Sequence, residues 1–390
     1  MINKTENENL KIDFNKVISL GLDWVVNSGI INKENDVKKK GGVYAWYEPD
    51  EKKFSYLYSE ITGYMITFLV YFFHKTGDKK YLKLAEDCAR WLTKISYFKP
   101  TQGVFCRYYP ESGTFRRQIC TFDNGIVLNG LVNLYKVSKI LSLREIIENL
   151  DKKIKSNFKT EKFCLHRYLP DEKRFEEEAS PWSHQGGSFL LKSAMGILNQ
   201  GLDKDGIGLV KNICEKVIRM QEEDGRFITD KFKNNTYLHP HCYALEGLTV
   251  AGVALKRKDF LEAARKGVEW IIKEQLPSGG FPNQFSNNKF SSSESIDIDS
   301  QVMRLWTIHD SLNLISLDAA DYAKGIKNIM SFQNSSKEKI ISGGFRYGTD
   351  IEGKQLNHIN TWGSLFALQA LDMIKESLNK SFSFKPFLLV

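Results

Sequence analysis

Six apolar stretches of helical period recur along the chain at near-constant spacing, and a repeat of this kind constrains the fold more than any single motif. They begin near Glu60 (SEITGYMITFLVYFF), Asp123 (DNGIVLNGLVNLY), Gln185 (QGGSFLLKSAMGIL), Cys242 (CYALEGLTVAGVAL), Asp299 (DSQVMRLWTIHDSL) and Asn360 (NTWGSLFALQALDMI), separated by 63, 62, 57, 57 and 61 residues. Between them lie stretches with a narrower apolar stripe and a charged face. These are Phe14 to Gly29, KKYLKLAEDCARWLTKI from Lys79, Leu143 to Phe158, KNICEKVIRMQEE from Lys211, KDFLEAARKGVEWIIKEQ from Lys258, and Ala319 to Gln333. A helix apolar nearly all round must be buried, whereas a striped helix can face water. The first set therefore predicts an inner ring and the second an outer ring: an all-α (α/α)6 barrel of six helical hairpins. The expected domain is a single barrel over 1–390, with 1–12 a flexible N-terminal segment and 379–390 a C-terminal tail.

The return from each inner to the next outer helix is short, as in KTGD at Lys75 to Asp78. The connections from outer to inner helix are long and carry aromatic strands around Pro, Asp, Gly or Asn turns, a β-hairpin signature. Elaboration thus falls at the end where inner helices begin, and insertions clustered on one face of a repeat fold mark its binding face. The aromatics Tyr44, Trp46, Tyr108 and Tyr109 are expected to pack between these hairpins. Met303, Trp306, Phe366 and Leu368 are expected in the core.

The inner-helix starts are rich in functional groups: Tyr58, Ser59 and Glu60; Phe122, Asp123 and Asn124; Trp182, His184 and Gln185; His239, His241 and Tyr243; Asp297 and Asp299; His358, Asn360 and Trp362. Ser, Asp and Asn at such places are ordinary N-caps, which would account for Ser59, Asp123 and Asp299. Capping does not call for His, Trp and Tyr. Aromatic faces stack on sugar rings, amides and imidazoles bond hydroxyls, and paired carboxylates do acid–base work.

His239-Pro-His241-Cys242 has zinc-ligand residue types but no second ligand pair, so neither a metal nor another cofactor is expected. Asp297-Ile-Asp299 resembles the acidic motif of proton-initiated isoprenoid cyclases, yet a cyclase funnel should be apolar and these helix starts are polar. The six cysteines lie singly, without CxxC pairs, and read as free thiols. A net charge of +8 comes from dispersed lysines, which excludes a nucleic-acid patch and leaves a mild bias toward anionic substrates. No apolar run reaches the roughly 20 residues of a membrane helix, and the first residues show no signal or transit peptide. A cytoplasmic location, with no membrane or nucleic-acid partner, is the expectation.

The pattern resembles the six-hairpin glycosidase superfamily across nearly the whole chain, and within it the unsaturated glucuronyl and rhamnogalacturonyl hydrolases. Phe122-Asp123-Asn124-Gly125 looks like the Asp-Asn pair opening their second inner helix. Trp182-Ser183-His184-Gln185-Gly186 is similar to the Trp-Ser/Ala-x-Gly-Gln segment opening their third, with Gln and Gly shifted. Trp362-Gly363-Ser364-Leu365-Phe366 before Leu368-Gln369-Ala370-Leu371 is similar to a segment of their last inner helix, without its acid. The family's other catalytic Asp falls on Glu60.

The resemblance implies a glycoside hydrolase for an oligo- or polysaccharide with an acidic sugar, with Asp123 as acid–base residue and Glu60 as its partner. Tyr58, Asn124, Trp182, His184, Gln185, His239, His241, Tyr243, Asp297, Asp299, His358, Asn360 and Trp362 would bind substrate. Two alternatives stay open: a lyase or epimerase with His239 or His241 as base and Tyr243 as acid or base, and a non-catalytic glycan-binding protein on the same fold. The barrel is shared by several chemistries, so it does not choose among them.

Overall fold

The structure is a computed structural model and describes residues 12–160, 163–201 and 203–390. Nearly all of the segment expected to be flexible, 1–12, lies outside the described residues. Among them twelve α-helices alternate between two rings. The outer ring is α1 (Phe14–Asn27), α3 (Lys79–Trp91), α5 (Arg144–Phe158), α7 (Lys204–Ile218), α9 (Lys258–Ile272) and α11 (Ala319–Ser331). The inner ring is α2 (Ser59–Thr76), α4 (Thr121–Ser138), α6 (Met195–Gln200), α8 (Leu238–Leu255), α10 (Ile296–Ser311) and α12 (Thr361–Leu378). Burial follows the sequence pattern: Ser59 through Phe72 of α2 are all buried, whereas α3 buries one stripe of Tyr81, Ala85, Cys88, Ala89 and Trp91. Met303, Trp306, Phe366 and Leu368 lie in the core.

Inner helices approach closely where side chains vanish. A Cβ on Gly63 of α2 would lie 2.9 Å from the Val127 backbone of α4, and one on Gly130 would lie 2.6 Å from the Gly63 carbonyl oxygen.

Ring closure is visible as one contact repeated around the circle. Glutamines just past the outer helices, Gln221, Gln275 and Gln333, each donate to a glycine carbonyl of their own loop and to a carbonyl of the next outer helix. For Gln333 that next helix is α1, where the acceptor is Val17. The glycines concerned, Gly225, Gly279 and Gly343, have φ of +102°, +96° and +90°. A Cβ there would strike a carbonyl oxygen of the next outer helix, at Lys266, Lys324 and Leu20. The sixth repeat therefore docks on the first as the others dock on their successors.

Five connections form the expected hairpins. The hairpins also pair across repeats, Leu57–Tyr58 with 107–108 and Ile119–Cys120 with 167–168. Trp46 and Tyr47 pair with Asn360 and Ile359, closing the ring at this end.

Two expectations are corrected. The third inner segment is not helical from Gln185: Gln185 and Gly187 are extended, a 3-10 turn covers Ser188–Ala194, and the α-helix begins only at Met195. Adjacent glycines 186 and 187 disfavour helix here. Residues 386–390 are more than a tail. They enter the barrel axis from the end where inner helices finish: Asn129 and Asn133 donate to the Phe387 carbonyl, and Leu389 and Val390 are buried.

Candidate active site

Five of the six inner helices open without a side-chain cap bond, as do α5 and α9 of the outer ring. Outer helices α1, α3, α7 and α11 are capped by the side chains of Asp13, Asp78, Asp203 and Asp318. Helices α2, α4, α8 and α10 have no side-chain cap bond; among the inner α-helices only α12 has one, from Asn360 to the Gly363 N–H. Ser59, Asp123 and Asp299 are therefore not caps. Each lies inside its helix, and Ser59 Oγ instead donates to the Phe105 carbonyl.

What these positions do depends on register. A helix turns about 100° per residue, so side chains two apart point to nearly opposite faces. The second helical residues Glu60, Phe122, His239, Asp297 and Trp362 all line one cavity of about 540 Å³ at this end of the barrel. The fourth residues face away and anchor the incoming connection. Thr62, Asn124, His241, Asp299 and Ser364 accept the backbone N–H of Val43, Val104, Phe227, Phe281 and Phe345, at 3.2, 2.9, 3.2, 2.7 and 2.9 Å.

Of the residues singled out from sequence, Tyr58, Glu60, Asp123, Trp182, His184, His239, Tyr243, Asp297, His358 and Trp362 are brought together around the cavity. Five lie behind its wall. Asn124, His241 and Asp299 are the anchors just described, and burial holds His241 neutral with its pKa near 3. Gln185 donates to Asp230 and accepts from the Lys231 N–H, and Asn360 caps α12. Trp46, expected between hairpins, lines the cavity, whereas Tyr44 and Tyr108 are buried as expected.

One wall holds the carboxyl pair. Burial pushes Glu60 up to about 7, against the hydrogen bond from Tyr58 and the charges of Arg107 and Lys192. Asp123, 3% exposed, is held well above the usual carboxyl range by burial, then by the neighbouring Cys120 and Glu60. Its Oδ2 has no hydrogen-bond partner among the described residues. Two like charges in one dry place cannot both ionise easily, so the pair retains a proton near neutrality.

Arg107 and Arg167 stand on this wall, contributed by the hairpin strands 107–109 and 167–169. The Arg107 guanidinium lies over the rings of Tyr56 and Tyr58, at 4.6 and 5.1 Å. Arg167 binds Glu176 at 2.9 Å, the Ser183 carbonyl at 3.1 Å and the His184 ring, yet its buried Nε has no partner among the described residues. Sequence reasoning missed both arginines, because strand arginines in charged hairpins look like solvated ones. Their spacing of 60 residues, one repeat, was the available signal.

Another part of the lining is imidazole with a carboxylate. His239 Nδ1 lies 2.7 Å from Gln301 Oε1 and 3.4 Å from Asp297 Oδ2, which also accepts the Trp362 indole N–H at 3.0 Å. The His239 ring sits 4.4 Å from the Tyr243 ring, whose acidity burial suppresses. His358 is stacked on Tyr347 and contacts Trp46, and burial lowers its pKa to about 4. The site thus offers a proton-holding carboxyl pair, two guanidinium groups, neutral imidazoles and aromatic walls.

No family model and no curated protein matches this sequence. Solved structures do. The cellobiose 2-epimerase of Spirochaeta thermophila superposes with a TM-score of 0.75 at 12% identity, covering 96% of this chain and 100% of that one. The chain carries the (α/α)6 barrel fold of these structures. A D-mannose isomerase gives 0.70 at 10% identity over 93% and 97% of the two chains. The unsaturated glucuronyl hydrolase of Bacillus sp. GL1 gives 0.67 at 13% identity over 93% and 97%. At such identities the likeness is one of fold, consistent with the resemblance read from the helix starts.

Proposed function

We propose that this chain is a carbohydrate-active enzyme that hydrolyses a glycosidic bond in an oligosaccharide bearing an acidic sugar. The observation that carries this reading is the buried Glu60–Asp123 pair, which keeps a proton beside an unpartnered carboxyl oxygen and faces two arginines. In the acid form Asp123 donates its proton to the departing glycosidic oxygen; as carboxylate it then takes one from water. Glu60 holds the pKa of its neighbour up and orients the substrate. Arg107 and Arg167 receive the sugar carboxylate, while Trp46, Trp182 and Trp362 offer stacking faces. The carbohydrate-processing enzymes among the solved structures of this fold support the substrate class.

A second reading has its own observation. His239, with Gln301 and Asp297 at Nδ1, could act as a base in the same cavity, and the solved structures of this fold include an epimerase and an isomerase. Proton abstraction beside a carbonyl or carboxylate would then give epimerisation or elimination, with neutral Tyr243 as acid.

A screen of uronate-containing oligosaccharides separates the readings. Reducing-end release that vanishes in Asp123→Asn is the expected result. Solvent deuterium appearing on a sugar carbon without bond cleavage, or ultraviolet absorbance from a new double bond, would replace hydrolysis by epimerase or lyase chemistry. Saturable binding without turnover would make the chain a glycan-binding protein.

A further inference from the structure

Two soft side chains line the cavity and take no part in the chemistry above. Cys106 follows the strand Gly103–Val104, and Cys120 ends the strand Ile119–Cys120 directly before α4. Their sulfurs and a carboxylate oxygen of Asp123 all lie within 4.8 Å of one another. Both residues border the cavity, Cys120 partly exposed and Cys106 buried. The other four thiols, Cys88, Cys164, Cys214 and Cys242, do not line it.

We propose that Cys106 and Cys120 are a vicinal thiol pair that peroxides and low-molecular-weight disulfides oxidise reversibly to a disulfide in the wall of the cavity. With a peroxide, the Cys106 thiolate attacks one oxygen and the O–O bond breaks. The product is a Cys106 sulfenic acid, and the leaving oxygen takes up a proton as water or alcohol. The Cys120 sulfur then attacks the sulfenyl sulfur, the S–O bond breaks, and the thiol proton leaves with hydroxide as water. Two thiols are oxidised and one peroxide is reduced. With a small disulfide, exchange passes through a mixed disulfide and releases two equivalents of the small thiol.

The surroundings favour this over idle packing. The contact with Cys120 holds the Cys106 thiol below its ordinary pKa, against burial, and the charges of Arg107 and Arg116 act in the same direction. Thiolate character beside a resolving thiol is the common setting of redox-reactive cysteines. The same cationic neighbours, with Arg167 beside Cys120, oppose a divalent metal held by the two sulfurs and Asp123. Bonding would draw the sulfurs to about 2.05 Å. Cys120 is the residue ahead of α4, so the movement reaches Asp123 three residues on.

The test uses the full chain, reduced and then exposed to hydrogen peroxide in one arm and oxidised glutathione in the other. Alkylation and mass spectrometry should find two of the six thiols lost, one cross-link between the peptides holding Cys106 and Cys120, and full recovery with dithiothreitol. Cys106→Ser and Cys120→Ser, checked by circular dichroism for native fold, should each form no internal cross-link. Inert thiols under both oxidants, a sulfenic or sulfinic acid that never resolves, or stoichiometric zinc retained by the purified chain and lost in Cys106→Ser would each overturn the proposal. These readouts do not depend on which sugar, if any, the cavity binds.

Discussion

The barrel axis holds two clusters of buried charge, and they differ in how fully they are paired. Below the cavity floor, Glu246 is surrounded: one carboxylate oxygen meets Lys192 Nζ at 2.5 Å and the other Arg304 at 2.7 Å. Arg304 continues to Gln369 at 3.0 Å and to the Val390 carbonyl at 2.8 Å, which Lys192 also reaches, and its Nε has no partner among the described residues. In the cavity wall Glu60 and Asp123 are almost as dry, but, unlike either oxygen of Glu246, Asp123 Oδ2 has no partner among the described residues. A buried ion with its bonds made holds a fold in one arrangement; a buried polar atom left open calls for an explanation, of which a catalytic role is one. The lower carboxylate thus helps to fix the axis, and the upper cluster holds the open carboxyl oxygen.

The largest expected effect falls on the open cluster. Asp123→Asn should cut kcat/KM by about a hundredfold to ten-thousandfold, the usual worth of a positioned general acid, while the melting temperature holds or rises. Steady-state kinetics beside a thermal melt check both halves. A variant that melts lower and keeps its activity would make Asp123 a scaffold residue. The paired cluster should behave oppositely. Glu246→Ala leaves Lys192 and Arg304 unneutralised and should cost about 3–5 kcal/mol, read from denaturant unfolding. A loss near zero would show that water or rearrangement satisfies the two cations.

A pH series sharpens the contrast. An unfolded Glu60 titrates near 4.5 and the folded one at about 7, because burial disfavours its charge. Between these values the folded chain binds the extra proton, so the Glu60 contribution to stability is greatest below 4.5, falls as pH rises and levels off above 7. At roughly 1.4 kcal/mol per unit the full drop is about 3 kcal/mol. Glu60→Gln should lack it and should exceed the parent in stability at pH 8. An unchanged pH–stability curve in that variant would place the titration elsewhere.

Much of this architecture was legible because burial writes itself into periodicity: α2 and α8 read as apolar all round, and they are inner helices. The end that holds the cavity was legible from the polar residues at the helix starts. What the pattern did not carry was register. Glu60 and Thr62, or His239 and His241, look alike as polar residues at a helix start. They separate only once the first helical residue is known, because a shift of two residues turns a side chain from the cavity to the anchor position. The anchors had a signature of their own: each binds the N–H of Val or Phe next to Gly or Arg in Gly42-Val43, Gly103-Val104, Arg226-Phe227, Gly280-Phe281 and Gly344-Phe345. The strand-borne groups were hidden differently. Arg107, Arg167, Cys106 and Cys120 meet only because neighbouring hairpins pair across repeats, a long-range fact that no local pattern records.

The two arginines give the smallest effect and the most selective one. Arg107 rests on two tyrosine rings and faces the cavity, whereas Arg167 is already engaged by Glu176, Ser183 and His184. Arg107→Met keeps much of the side-chain length over those rings and removes the charge. Hydrogen bonds to charged groups are worth about 1.5–3 kcal/mol, so affinity for a uronate-bearing oligosaccharide should fall about tenfold to a hundredfold. Affinity for the matching neutral oligosaccharide should change little. Arg107 also helps to lower the Glu60 pKa, so the same substitution should move that titration upward. Calorimetric titration with the acidic and neutral members of a pair checks the selectivity. Equal losses for both would make Arg107 a support for Tyr56 and Tyr58, and the acidic sugar would then have to be read by another part of the lining.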